Sequence, residues 1–204
     1  KNPSIIRPNL QVKMPSFHQI SDEEWDAIIA YFQHADHETI NYRANHQFDK
    51  SSTEFAAGEV IHELGQCNSC HFYGEEFPTG DAPTWAPNLA MTKERLNPGW
   101  VTEWLKNPQT IMPGTKMPAP YVPDKSVLAA PGAENDWGEA LIELDGDTLA
   151  MLNGLRDYLW DIKGASNIDE IIKDYFDEHG YDFDSGDAGD DDYEEDDWDD
   201  DEDW

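Results

Sequence analysis

Apolar residues recur at helical spacing in three separate stretches of the chain. Because an α-helix turns once every 3.6 residues, this spacing collects apolar side chains on one face and predicts an amphipathic helix. Ser21 and Glu24 form a capping-box pattern before the first stretch, and Asp145 or Asp147 would cap the third. The predicted apolar faces are Trp25, Ile28, Ile29 and Phe32; Phe55, Val60, Ile61 and Leu64; and Leu149, Leu152, Leu155, Leu159 and Ile162.

Prolines and glycines interrupt the chain between the second and third predicted helices. They leave one short helix, NPGWVTEWLKNP, between Pro98 and Pro108, and a long loop from Thr110 to about Leu144. Alternating strand patterns are few, so we predict an all-α fold with long loops. Loops of this length need an internal scaffold, and a large buried cofactor is one candidate.

The pattern divides the chain into four segments. Residues 1–35 combine a loop with the first helix, residues 36–52 form a polar linker, residues 53–164 form the main domain, and residues 165–204 form an acidic tail. The end of the tail, GDAGDDDYEEDDWDDDEDW, has too little apolar surface to fold alone. We expect it either to be solvated or to be ordered by a basic partner face, calcium or a larger assembly.

The net charge of −31 narrows the possible partners. Negative charge repels nucleic acid and anionic membrane surfaces, and it favours a partner with a basic docking face. No run of about 18 apolar residues is present, so we expect no membrane span in this chain.

The only two cysteines lie three residues apart in QCNSCHFYGEE, and a histidine directly follows the second. A redox disulfide, a zinc site and covalent haem attachment all use closely spaced cysteines. A disulfide oxidoreductase would place the pair after a strand, and zinc would need further ligands, with His62 one candidate. Haem attachment would use both cysteines and the histidine: the thiols of Cys67 and Cys70 bond to one porphyrin, and His71 becomes an axial ligand.

Residues 53–164 resemble the class I c-type cytochromes. The resemblance is carried, in the family's order, by AAGEVIHELGQCNSCH, APNL, WVTEWLKNPQTIMPGTKMP and LAMLNGLRDYLWDI. It implies one covalently bound haem c and a last helix that packs across the first. It also implies that the carbonyl of Pro87 accepts a hydrogen bond from His71. We expect Trp104 to donate its indole N–H to a haem propionate, with ordinary core packing as the alternative.

Two methionines compete for the sixth position on the iron. The family's ligand follows Pro-Gly-Thr-Lys, which matches Met117, whereas Met112 is expected to fill a gap in the core. The remaining histidines are expected to be solvated; they are His18, His34, His37, His46, His62 and His179.

The first segment also resembles part of a cytochrome c domain, its methionine loop and C-terminal helix, with Met14 in the ligand position. No Cys-x-x-Cys-His motif precedes it. Met14 would then ligate a second haem carried by another polypeptide, or it would be buried and unligated in a remnant helix.

These expectations converge on one-electron transfer by a non-enzymatic chain on the periplasmic or extracellular side of a bacterial membrane, as the resemblance implies. The chain would serve as a subunit of a larger respiratory or extracellular multi-haem assembly, with other haem subunits as partners. A freely diffusing single-haem shuttle and a haem peroxidase-type component are the alternatives. Filled axial positions argue against the peroxidase.

Overall fold

The computed structural model describes residues 17–35, 46–165 and 168–180. Within these ranges the regular structure is helical, apart from two isolated β-bridges, so the predicted all-α fold is confirmed. The chain separates into two compact units, Lys1–Asp169 and Glu170–Trp204. The helices are α1 (Asp22–Ala35), α2 (Thr53–Leu64), α3 (Thr92–Arg95), α4 (Pro98–Lys106), α5 (Pro108–Ile111), α6 (Lys125–Leu128), α7 (Ala133–Trp137), α8 (Glu139–Glu143), α9 (Thr148–Asp161) and α10 (Asp169–Glu178).

Helix α1 begins at the predicted capping box. The backbone N–H of Glu24 donates to Oγ of Ser21 at 3.2 Å, and the backbone N–H of Ser21 donates to Oε2 of Glu24 at 2.8 Å. These reciprocal bonds satisfy two backbone donors that a helix start leaves without partners. No residue of α1 is buried. On its predicted apolar face Ile28, Ile29 and Phe32 are exposed, and Trp25 is half-buried.

Helices α2 and α9 cross at two glycines, and this crossing is the centre of the fold. A Cβ added at Gly58 would lie 2.2 Å from the carbonyl carbon of Gly154, so the two backbones are in direct contact. The last long helix of the main domain therefore packs across its first, as predicted. The buried core of which this crossing is part includes Ile61, Val101, Leu105, Leu141, Met151, Leu152, Leu155, Leu159 and Trp160.

The structure corrects the sequence analysis at three places. The predicted loop between Thr110 and Leu144 contains three short helices, α6 to α8, because four or five residues are too few to show helical periodicity. Two leucines of the predicted apolar faces, Leu64 at the end of α2 and Leu149 at the start of α9, are exposed rather than buried. Helix α10 lies in the predicted acidic tail, and its apolar and aromatic residues form two adjacent pairs that one lysine and one aspartate separate.

Candidate functional site

The chain turns sharply where α2 ends and the cysteine motif begins. Gln66 adopts a left-handed conformation with φ of 49°, and a 3₁₀ turn follows over Cys67–Ser69. The backbone N–H of His71 donates to the carbonyl of Cys67 at 2.9 Å. This turn brings Cys67, Cys70 and His71 together, and all three are half-buried.

The two thiols are not joined to each other. Burial raises the pKa of the Cys67 thiol to about 11, so this sulfur is protonated at neutral pH. The attacking cysteine of a disulfide oxidoreductase has a lowered pKa instead, because the thiolate is the reactive form. The environment of Cys67 therefore argues against the redox-disulfide interpretation.

The imidazole of His71 is oriented by a backbone carbonyl, which is the contact that the family resemblance implies. Its Nδ1 lies 2.7 Å from the carbonyl oxygen of Pro87. Because a carbonyl only accepts hydrogen bonds, Nδ1 carries the proton and Nε2 is the nitrogen able to donate a lone pair to a metal. The loop that carries Pro87 is itself held on both sides, since Ala86 N–H donates to Cys70 O at 2.7 Å and Leu89 N–H donates to Phe72 O at 2.9 Å.

An aromatic cluster supports the turn from behind. The ring of Phe72 lies edge-on to Trp85, with centroids 5.0 Å apart, and Phe77 contacts both rings. The indole N–H of Trp85 donates to the carbonyl of Gly80 at 2.9 Å. Gly80 must lack a side chain, because a Cβ there would lie 2.5 Å from the carbonyl oxygen of Ser69. The loop from Gly80 to Trp85 is therefore fixed against the turn that carries the two cysteines.

Asn88 is a structural residue of this site that the sequence analysis missed. Its Oδ1 accepts hydrogen bonds from the N–H groups of Gly74 and Ala90 at 3.0 and 3.1 Å. Its Nδ2 donates to the carbonyls of Gly74 and Ala165 at 3.0 and 3.1 Å. The side chain is buried and joins three separate segments beside Pro87. An asparagine before a helical turn is the available sequence signal, since such residues cap helices.

Met117 and Met112 lie in different environments. Met117 is half-buried and packs against the core. Met112 is 54% exposed, so the expectation that it fills a gap in the core is wrong. The indole N–H of Trp104 donates to Sδ of Met117 at 2.8 Å. The structure thus brings Trp104 to the predicted sulfur ligand.

These residues fit a covalently bound haem in the chemistry of their donor atoms. Two thiols share one turn with an imidazole whose Nδ1 bond leaves Nε2 as the basic nitrogen, and a thioether is held on the loop that carries Met117. Across the described ranges, no group of three or more His, Cys, Asp and Glu side chains could hold a metal ion. Met14, the possible ligand of a second haem, lies outside the described residues.

The expectation of solvated histidines is wrong at two positions. His62 is buried between the rings of Tyr73 and Tyr158, and burial, reinforced by the nearby His71, lowers its pKa to about 4. His46 is half-buried, with its Nε2 2.6 Å from Oδ1 of Asp157. His18, His34 and His179 are exposed, and His37 lies outside the described residues.

Comparisons with known proteins give one curated relative. Cytochrome c oxidase subunit 2 of Bacillus subtilis (strain 168) is 33% identical to this chain over 98 residues, which is 44% of this chain and 26% of that protein. The chain therefore spans about a quarter of the length of this relative. No family model matches. No solved structure matches. Among the helices of the described part of the chain, none has the length and apolar character needed to cross a membrane.

Proposed function

We propose that this chain transfers single electrons through a covalently attached c-type haem, as part of a respiratory oxidase-type assembly. The observation that carries the proposal is the 2.7 Å contact between Nδ1 of His71 and the carbonyl of Pro87, on the turn that also holds Cys67 and Cys70. When bound, the haem supplies an iron that alternates between two oxidation states. The residues described below attach and orient that group.

His71 would hold the haem iron through Nε2, and its ring is oriented for that role by the Pro87 carbonyl. The Pro87 carbonyl fixes the tautomer and the ring orientation, and it makes the imidazole more basic. Because two backbone hydrogen bonds fix the same loop, the imidazole has little freedom to turn. A fixed ligand suits electron transfer, which proceeds best when the site changes little between oxidation states.

Met117 would supply the second protein ligand to the haem iron. A thioether is a weak ligand, and His/Met ligation raises the reduction potential of a haem. If His71 and Met117 both held the iron, a small substrate would reach it only by displacing Met117. The site is therefore suited to electron transfer rather than to peroxidase chemistry.

The similarity to an oxidase subunit supports a partnership with other subunits of a respiratory complex. The acidic charge of the chain favours a docking face of basic character on the partner. We further propose that the chain works on the periplasmic or extracellular side of the membrane, where the resemblance to c-type cytochromes implies that haem is attached.

The test is the haem content of the chain, produced in cells that carry a c-type haem attachment system. We expect one haem per chain by pyridine haemochrome assay, and the haem should remain on the polypeptide in denaturing mass spectrometry. A chain that matures without haem under these conditions would contradict the proposal.

The ligand assignment is tested by Met117→Ala, with Met112→Ala as the matched control. We expect Met117→Ala to bind carbon monoxide readily in the reduced state and to have a lower reduction potential. Met112→Ala should behave like the unmodified chain, because its side chain is 54% exposed. Equal behaviour of the two variants would refute Met117 as the ligand.

A further inference from the structure

Trp104 lies on helix α4 and contacts the loop from Met112 to Met117, which is called the methionine loop below. Asn97 caps α4 by accepting hydrogen bonds from the N–H groups of Gly99 and Trp100 at 2.9 and 3.4 Å. Val101 and Leu105 on the same helix are buried in the core. The helix therefore fixes the position of Trp104, whose indole N–H donates to Sδ of Met117.

The methionine loop itself has few backbone supports. Thr115 N–H donates to Met112 O at 3.1 Å, and Met117 N–H bonds to Oγ1 of Thr115 at 3.3 Å. Gln109 ties the loop to α5, because its side chain bonds to Gly114 N–H at 3.2 Å and to the carbonyl of Thr115. None of these bonds reaches the sulfur atom, whereas the Trp104 indole donates to Sδ directly and so contributes to its direction.

We propose that Trp104 is a positioning residue for the Met117 sulfur, a role that rests on the proposed function. A thioether sulfur has two lone pairs. The indole N–H occupies one of them, which would leave the other to bind the haem iron. In this proposal the single N–H of the indole serves the sulfur instead of the haem propionate that the sequence led us to expect as its acceptor.

The hydrogen bond from Trp104 to Met117 should also change the reduction potential of the haem in a predictable direction. The positive end of the N–H dipole draws electron density from the sulfur and makes it a weaker donor to iron. A weaker donor stabilises the ferric state less than the ferrous state, so the bond raises the reduction potential. Hydrogen bonding to a ligand is one of the levers by which proteins tune haem iron.

The experiment compares Trp104→Phe with Trp100→Phe in the haem-loaded chain. Both residues lie on α4 with their rings stacked 5.2 Å apart, and only Trp104 is bonded to the sulfur. We expect Trp104→Phe to shift the potential downward in a redox titration and to alter the thioether-to-ferric-iron charge-transfer band. It should also bind carbon monoxide faster. Trp100→Phe should leave all three unchanged.

An unchanged potential and band in Trp104→Phe, or equal shifts in both variants, would overturn the inference while leaving the haem itself in place. Absence of haem from the unmodified chain would instead refute the proposed function. If Trp104→Phe does not fold, a benzothiophene analogue of tryptophan at position 104 removes the N–H and keeps the size of the ring. The same downward shift is then expected, and its absence would overturn the inference.

Discussion

Gly154 lies where α9 crosses α2, and its replacement by alanine tests the packing of the whole domain. A Cβ at this position would lie 1.8 Å from the carbonyl oxygen of Glu54 and 2.5 Å from its carbonyl carbon. An ordinary carbon contact needs about 3.5 Å. The obstructing atoms belong to the backbone of α2, so no side-chain rotation can relieve the overlap, and the two helices must separate.

The expected magnitude follows from two opposing effects. Alanine stabilises a helix interior by about 0.5–1 kcal/mol relative to glycine. Overpacking a core costs about 1–3 kcal/mol, and more where the structure cannot yield. Separation of the helices would also loosen the contacts of buried residues such as Ile61 and Leu155. We therefore expect Gly154→Ala to lower the free energy of unfolding by about 3 kcal/mol.

The assay is urea unfolding of the haem-loaded chain, followed by circular dichroism. A loss of about 3 kcal/mol lowers the midpoint by about 1–2 M urea for a domain of this size. The matched control is Gly99→Ala in α4, where the added Cβ would meet only Oδ1 of Asn97 at 3.3 Å. This control should change the stability by less than about 0.5 kcal/mol. If the Gly154→Ala variant is as stable as the control, the close contact between α2 and α9 at this glycine is refuted.

A double-mutant cycle sharpens the same test. A Cβ at Gly58 would lie 2.2 Å from the carbonyl carbon and oxygen of Gly154, so Gly58→Ala separates the same two helices. Once the helices have moved apart for one methyl group, the second meets less resistance. The double variant should therefore lose less stability than the sum of the single losses. Simple additivity would mean that the two sites are independent.

Two further predictions concern buried polar groups. His62 has a pKa of about 4 in the folded chain, against an ordinary value of 6.5, so unfolding takes up a proton between these pH values. Stability should therefore fall as the pH is lowered from 6.5 to 4, by up to about 1.4 kcal/mol per pH unit. His62→Phe should flatten that dependence in urea titrations at several pH values, and an unchanged slope would contradict the assignment. Asn88→Ala leaves buried backbone groups of Gly74 without partners, so we expect a loss of about 3 kcal/mol in the same assay. A loss below about 0.5 kcal/mol would show that these groups find other partners.

Local signals in the sequence were sufficient to predict the long helices. The reciprocal hydrogen bonds of Ser21 and Glu24 form as the capping-box pattern predicts, and Asp147 caps α9 through a bond from Ala150 N–H at 3.0 Å. Asp145 and Asp147 were both candidates for that cap, and the structure selects Asp147. These features depend on residues three or four apart, so one short window of sequence contains everything that decides them.

Contacts between distant segments were not predictable from such windows. Asn88 joins Gly74 to Ala165, and nothing in the sequence around any of the three indicates the other two. The close approach of Gly58 to Gly154 is a similar case, because a glycine inside a helix has several possible reasons. The pairing of His71 with Pro87 was anticipated only through the family resemblance.

The two proposed iron ligands differ in how the chain holds them. This difference indicates which side of the site allows mutations to change the reduction potential. Backbone groups orient His71 through the Pro87 carbonyl and the bond from Ala86 to Cys70, and backbone groups are present whatever the side chains are. A side chain orients the Met117 sulfur, since its hydrogen bond comes from the indole of Trp104. A single substitution can remove that bond without disturbing the histidine turn. Changes in reduction potential through mutation should therefore arise on the methionine side, while mutations around the histidine turn should first reduce stability.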